Sequence, residues 1–149
     1  MRQIFQSAAV VLLSSFPLFA KDGITVEAPW ARATILMSRP GVVYLTIRSS
    51  IDDQLIGIET PVAETVMIHT VETSEDISHM ISLSTLPLPA GQTVLLAPGK
   101  IHLMLMGLHK KLVKGETFPI TLKFKHAEAI SLNVPILGIA AKNPTDTGQ

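Results

Sequence analysis

The chain contains no cysteine among its 149 residues, and this absence excludes several kinds of site. Without a thiol it can form no disulfide, no thiolate zinc site, no cysteine nucleophile and no blue-copper centre with a cysteine ligand. A soft metal ion would have to be held by histidine and methionine, and the chain has five histidines and six methionines. These two residue types are therefore the first candidates for a functional site.

Charge of either sign is also scarce. Charged residues make up only 16% of the chain. Because Lys plus Arg number 12 and Asp plus Glu also number 12, the formal net charge is zero. A protein that binds nucleic acid usually carries a clustered basic field that neutralises phosphates. This sequence has no such field, and we expect no nucleic acid partner.

The first 20 residues have the layout of a secretory signal peptide. One basic residue, Arg2, precedes an uncharged apolar stretch over residues 8–19, and cleavage is expected after Ala20. The apolar stretch is shorter than the roughly 20 residues that a membrane-spanning helix needs, which disfavours an N-terminal anchor. We expect an exported protein with a signal peptide over residues 1–20. Residues 21–149 would form a single domain with no stable membrane insertion after cleavage.

The apolar residues do not follow a helical period in any long window, which argues against amphipathic helices. Short β-branched segments instead alternate with turn signals such as SSIDDQ, LPAGQ, APGK and VKGE. This pattern is typical of an all-β sandwich or small barrel. The predicted strands cover residues 24–33, 42–48, 54–59, 65–71, 77–83, 92–96, 102–106, 119–124 and 129–134.

The segment PGKIHLMLMG places His102 and Met104 two residues apart. Because side chains alternate between the two faces of a strand, we expect His102, Met104 and Met106 on one face, and Leu103 and Leu105 on the other. One face would be aliphatic, and the other would offer an imidazole nitrogen and thioether sulfurs. Such soft, neutral donors suit Cu(I).

The same alternation applies to the predicted strand over residues 77–83. It puts Met80 on a face with serines, and it puts His79 with Ile77 and Ile81 on the opposite, apolar face. A methionine among serines has little packing role, which favours Met80 as a metal donor. We expect His79 to be a packing residue that points away from the site.

Four donors follow a fixed spacing along the chain. Ten residues separate His69 from Met80, twenty-one separate Met80 from His102, and one separates His102 from Met104. Here the sequence resembles the periplasmic copper chaperone family PCuAC, whose signature is His, ten residues, Met, twenty-one residues and His-any-Met. The resemblance extends over most of the mature chain through the segments APWARAT, YLTIRSS, DDQLIGIETPVAETVMIH, LPAGQTVLLAPG and HLMLMGLHKKLVKGE.

The resemblance implies a cupredoxin-like Greek-key β-sandwich or barrel that is not an enzyme and that works in a Gram-negative periplasm. It also implies that one Cu(I) per chain is delivered to the CuA-bearing subunit of cytochrome c oxidase, or to another copper chaperone, by a monomer. The implied ligands are His69, Met80, His102 and Met104.

Some positions near these ligands depart from the family or hold reserve donors. Thr70 stands where the family often has methionine, and Lys100 stands where it often has a second glycine, although neither change removes a principal ligand. Met67 has the strand parity of His69 and could flank the site, with core packing as the alternative. Met37 and Met106 are weaker reserve donors.

Other functions remain open on the sequence alone. The protein could buffer copper or confer copper resistance in the periplasm, it could be a copper redox enzyme, or it could be a metal-free secreted sandwich used for adhesion. A substrate-activating copper site keeps an open position among polar groups, whereas two histidines and two methionines fill the coordination of Cu(I). The copper carrier is therefore the favoured interpretation.

The remaining polar and aromatic candidates have structural interpretations. His109 lies in a basic loop and is expected to be solvated, and His126 is expected to lie in a turn at the surface. Asp52 and Asp53 are interpreted as turn residues before a strand, because no polar cluster accompanies them to support paired catalytic carboxylates. Trp30 is expected to be a core or rim aromatic.

Overall fold

A computed structural model describes residues 18–146, and within that range the chain forms eleven β-strands and no helix. No helix that could cross a membrane is therefore found in these residues. Residues 1–17 of the expected signal peptide lie outside the described range, and its cleavage stays a prediction. The strands are β1 (Leu18–Lys21), β2 (Ile24–Arg32), β3 (Gly41–Ser49), β4 (Asp53–Glu59), β5 (Ala63–Ser74), β6 (Ile77–Leu83), β7 (Leu86–Leu88), β8 (Thr93–Leu96), β9 (His102–Leu108), β10 (Thr117–Phe124) and β11 (Ile130–Leu137).

The strands form two layers that are joined where β11 pairs with β2. The first layer has the order β6-β5-β9-β3-β2, with β1 added to β2 and β8 added to β3. The second has the order β11-β10-β4-β7, and its connection to β2 is a short parallel pairing of Ile136 with Ala31 and Leu137 with Arg32. The predicted all-β fold is confirmed, and all nine predicted strands form. Strands β1 and β7 were not predicted.

The hydrophobic core lies between the two layers and fixes which face of each strand is outside. Strand β10 alternates between buried and exposed residues, and β9 contributes Leu103 and Leu105, neither of which has any exposed surface. Burying a leucine side chain stabilises the fold by roughly 1.5 to 3 kcal/mol. A shift of β9 by one residue would put these leucines in solvent, so the core holds the outward residues of β9 in place.

A second, smaller apolar cluster covers part of the outer face of the first layer. The rings of Trp30 and Tyr44 lie 4.5 Å apart, and the Arg32 guanidinium lies 5.6 Å from the centre of the Tyr44 ring. The C-terminal segment packs here through Ala141, whose carbonyl oxygen accepts a 2.7 Å hydrogen bond from Arg32 Nε. Trp30 is thus a buried rim aromatic, as expected.

The two aspartates at the start of β4, Asp52 and Asp53, accept hydrogen bonds from backbone N–H groups of neighbouring segments. Asp53 is buried and its carboxylate accepts three backbone N–H groups, from Gln54 at 2.8 Å and from His126 and Ala127 at 2.9 Å. Burial alone would raise the pKa of the Asp53 carboxyl, but the three N–H donors and the nearby His126 outweigh it, so the pKa lies below its usual value. The exposed Asp52 accepts one N–H, from Ala90. Both residues therefore act as the turn residues that were predicted.

We expect Asp53→Asn to lower the free energy of unfolding by about 2 to 3 kcal/mol, because an amide cannot accept all three hydrogen bonds that the carboxylate accepts. The control Asp52→Asn, at an exposed position with one hydrogen bond, should cost less than about 1 kcal/mol. Since the folded-state pKa of Asp53 is depressed, its contribution should be present above the unfolded-state pKa of about 3.9 and should fade as the pH drops. Urea unfolding at two pH values measures both effects, and equal losses for the two variants would contradict the role given to Asp53.

Candidate metal centre

The pairing of β5 with β9 brings two of the predicted donors together. His69 lies directly across from His102, and their ring centres are 5.6 Å apart with an edge-to-face angle of 88°. The next pair on the same face is Met67 across from Met104. Residues directly opposed in an antiparallel sheet project to the same side, so these four side chains form two successive cross-strand pairs on the outer face.

Met80 reaches the same face from β6. In the β5–β6 hairpin Ser82 pairs with His69 and Met80 pairs with Val71, which places Met80 diagonally across from His69. The Met80 side chain is 61% exposed. All four predicted donors therefore lie on one face of three adjacent strands, with Met80 at the open edge and His102 in the interior.

The expectation that His79 is a packing residue is wrong. His79 and its face neighbours Ile77 and Ile81 are exposed, because β6 is the terminal strand of the first layer and, within the described chain, pairs with β5 alone. The alternation along β6 is as predicted, but over residues 77–82 neither of its faces is buried, and only Leu83 at its end packs partly against the core among the described residues of this strand. His79 still points away from Met80, so it remains outside the donor set.

His102 is oriented by the backbone of the turn that precedes β9. It is only 5% exposed, and its Nδ1 lies 2.9 Å from the carbonyl oxygen of Lys100. A carbonyl can only accept a hydrogen bond, so Nδ1 must carry the proton, and the lone pair is left on Nε2. This is the arrangement by which proteins commonly fix a metal-binding imidazole.

His69 has the opposite situation, with an unsatisfied polar atom. Its Nδ1 is buried and has no hydrogen-bond partner in residues 18–146. Burial lowers the pKa of His69 below the ordinary 6.5, and the neighbouring His102 lowers it further. The neutral form of His69 is therefore favoured, and a neutral imidazole with an unmatched nitrogen is ready to accept a metal ion.

The donor set decides which ion fits. Residues 18–146 contain no cluster of three or more His, Cys, Asp or Glu that could hold a metal. Hard cations need oxygen ligands, and zinc sites are built from cysteine, histidine and carboxylate, so neither is served by two imidazoles among thioethers. Soft, neutral nitrogen and sulfur donors fit Cu(I).

The departures from the family pattern leave this face unchanged. Thr70 pairs with Ile81 and belongs to the other face of the sheet, so its side chain is not directed toward His69. Lys100 contributes through its backbone carbonyl, which any residue supplies. The exposed His109 and His126 lie outside the donor set, as expected.

Comparisons with known proteins show the family of this chain. The chain matches the family model described as "Putative lipoprotein LpqE-like" over residues 24–136. It is 27% identical over 128 residues to "Putative lipoprotein Lxx21020" of Leifsonia xyli subsp. xyli, covering 85% of this chain and 77% of that protein. Two lipoprotein matches support the prediction that the protein is exported.

Solved structures show the same fold. The apo PCuAC domain of PmoF2 superimposes with a TM-score of 0.73 at 23% identity, over 85% of this chain and 99% of that domain. The copper-bound PCuAC domain of PmoF2 gives 0.69 at 23% identity, over 80% and 97% of the two chains. The Cu(I) form of DR1885 from Deinococcus radiodurans gives 0.61 at 28% identity, over 76% and 78%.

These matches confirm the cupredoxin-like sandwich and the resemblance to PCuAC proteins, and with it the expectation that the chain is not an enzyme. The chain belongs to the LpqE-like lipoprotein family, and it has the fold of the PCuAC domains.

Proposed function

We propose that this protein is an exported metallochaperone that holds one Cu(I) ion per chain and passes it to the CuA centre of cytochrome c oxidase by ligand exchange. The observation that carries the proposal is the cross-strand pair of His69 and His102, with Met104 and Met80 on the same face. Together they offer two imidazole nitrogens and two thioether sulfurs, all neutral. The bound ion would keep its own charge and release no proton from the thioethers.

The copper forms of the matched structures support the choice of ion. The PmoF2 domain is described as copper-bound, and the DR1885 structure is described as its Cu(I) form. The second of these is 28% identical to this chain and covers 76% of it.

The position of the donors suits delivery by direct transfer. Met80 lies on an edge strand with most of its side chain in solvent, whereas His102 is buried and held by Lys100. An acceptor can therefore approach from the Met80 side and replace this thioether first, because a neutral sulfur is released at little electrostatic cost. The histidine pair would keep the ion bound until the acceptor has supplied enough donors of its own.

A Gram-negative periplasm and a monomeric state complete the proposal. An oxidising compartment would convert a pair of cysteines into a disulfide and disable the site, whereas methionine and histidine cannot be lost that way.

Another copper chaperone is the alternative acceptor. Copper buffering is the alternative function, since it would use the same site without a dedicated acceptor, and a copper redox enzyme would need polar catalytic groups around an open coordination position.

We expect His69→Ala and Met104→Leu each to weaken Cu(I) binding by at least roughly 10- to 100-fold, because each removes a direct donor. The matched controls are His109→Ala and His126→Ala, two exposed histidines that lie outside the donor set. Competition with a Cu(I) chelator under reducing conditions measures the affinity. Controls that weaken binding as much as the site variants would contradict the assigned ligands.

Copper affinity should depend on pH in one direction. A histidine must be neutral to coordinate, so protonation competes with Cu(I) as the pH falls. Since burial and the neighbouring His102 hold the pKa of His69 below 6.5, the affinity should be constant above about pH 6.5 and should decline only as the pH falls below that value. The same chelator competition at a series of pH values tests this, and an affinity that stays flat over the whole acidic range in which the protein remains folded would mean that the imidazoles are not ligands.

Direct transfer predicts a rate that depends on the acceptor. Cu(I) should move from this protein to an isolated CuA domain faster than it dissociates into a large excess of a chelator that does not dock. The rate should also rise with the concentration of the CuA domain, because transfer proceeds through a complex of the two proteins. Anaerobic stopped-flow spectroscopy follows both reactions. Equal rates with no dependence on the acceptor would leave buffering as the function.

A further inference from the structure

Three methionines continue the outer face beyond the histidine pair. Met67 lies directly across from Met104, and Met106 follows Met104 by two residues on β9, across from Thr65. Directly opposed side chains have Cβ atoms roughly 5 Å apart, and residues two apart on one strand are separated by about 6.6 Å. Methionine has a long, unbranched side chain with three rotatable bonds, so three sulfurs at this spacing can converge on one ion.

Core packing does not explain these methionines. Met67 is 39% exposed, Met106 is 36% exposed and Met104 is half-buried, while Leu103 and Leu105, which alternate with the methionines on β9, have no exposed surface. The core therefore lies on the opposite face, and the aromatic cluster of Trp30 and Tyr44 borders the methionines at Val42, which lies directly across from Met104. Three neighbouring thioethers on an open face offer soft metal donors rather than buried volume.

We propose that Met67, Met104 and Met106 form a second position for Cu(I), coordinated only by thioethers and sharing Met104 with the histidine-containing position. This inference rests on the proposed function, since it concerns the same ion on the same face. Three neutral sulfurs select a soft monovalent ion such as Cu(I) or Ag(I) over Zn²⁺ and Cu²⁺, which prefer nitrogen and oxygen ligands. Thioethers do not titrate, so this position stays available at a pH where histidine is protonated.

The shared sulfur gives the ion a path between the two positions. The bonds to the imidazole nitrogens and to Met80 break as bonds to Met67 and Met106 form, and the bond to Met104 is retained throughout. Copper remains in the +1 state, and no electron or proton is exchanged in this ligand substitution. The ion then lies in a weaker, more exposed position, from which an acceptor can remove it by a route separate from the direct replacement of Met80, and one ion per chain is still bound.

Ag(I) binding in a protein without the histidine pair isolates the second position. We expect the folded double variant His69→Gln/His102→Gln to bind one Ag(I) with an affinity that is unchanged between about pH 5 and about pH 8. Adding Met67→Leu or Met106→Leu should weaken this binding by roughly 10- to 100-fold. Adding Met80→Leu should leave it unchanged, because Met80 belongs only to the first position.

The result that overturns the inference is a folded double variant that does not bind Ag(I). An equal loss on adding Met80→Leu would overturn it as well, since the ion would then be held by what remains of the first position. Leucine conserves the volume of methionine, so these changes remove the sulfur with little disturbance of packing. Circular dichroism establishes that the variants are folded.

The rate of copper release from a protein that keeps both histidines is a second test of the thioether position. This test applies even when the double variant does not fold. Met67→Leu and Met106→Leu should slow the transfer of Cu(I) to bicinchoninate by roughly tenfold, while His109→Ala, at an exposed histidine outside the donor set, should not change it. Rates equal to that of His109→Ala would overturn the second position and leave the metallochaperone intact. A wild-type protein that does not bind Cu(I) at all would overturn the proposed function itself.

Discussion

The antiparallel pairing of β5 with β9 is the constraint on which the candidate site depends. It sets His69 beside His102 with their rings 5.6 Å apart, although thirty-two residues separate them in the chain. The register is held from the other side of the sheet, where Ile68 and Leu103 are buried in the core as a directly opposed pair. A slip of one residue would move the imidazoles into the core and the apolar residues into solvent, so burial of the core also preserves the metal centre.

The outer face of the first layer has a covered region and an open region. Toward β2 and β3 the face is covered by the C-terminal segment, which packs on Trp30 and Tyr44 through Ala141. Toward β9, β5 and β6 it is open and carries the histidines and methionines. The exposed fraction of these side chains increases in the same direction, from the buried His102 to Met80 on the edge strand. The least accessible candidate donor therefore lies in the interior, and the most accessible one lies at the edge of the sheet.

Neutral donors explain why such a site is tolerated on an ordinary β-sandwich. A cluster of carboxylates or thiolates would repel itself in the absence of metal, whereas imidazoles and thioethers carry no charge near neutral pH. The cost falls on His69, whose buried Nδ1 has no hydrogen-bond partner in the described residues. A buried polar atom without a partner costs free energy, and coordination of a metal ion by this nitrogen would remove that penalty.

The local features of the fold could be predicted from the sequence. Alternation along β9 separated His102 and Met104 from Leu103 and Leu105, because a strand sends successive side chains to opposite faces whatever surrounds it. Nine of the eleven strands followed from β-branched segments between turns, while β1 overlapped the expected signal peptide and β7 is only three residues long. The spacing of His69, Met80, His102 and Met104 selected these residues as candidate donors, but it did not give their arrangement.

Contacts between distant parts of the chain were decided only by the tertiary structure. Strand pairing joins residues that the sequence keeps far apart, so the His69–His102 and Met67–Met104 pairs could not be derived from local pattern. The hydrogen bond from His102 to the Lys100 carbonyl depends on the conformation of the turn between β8 and β9. The error at His79 has the same origin: alternation gives the two faces of a strand, but only the packing of the whole chain determines whether either face is buried.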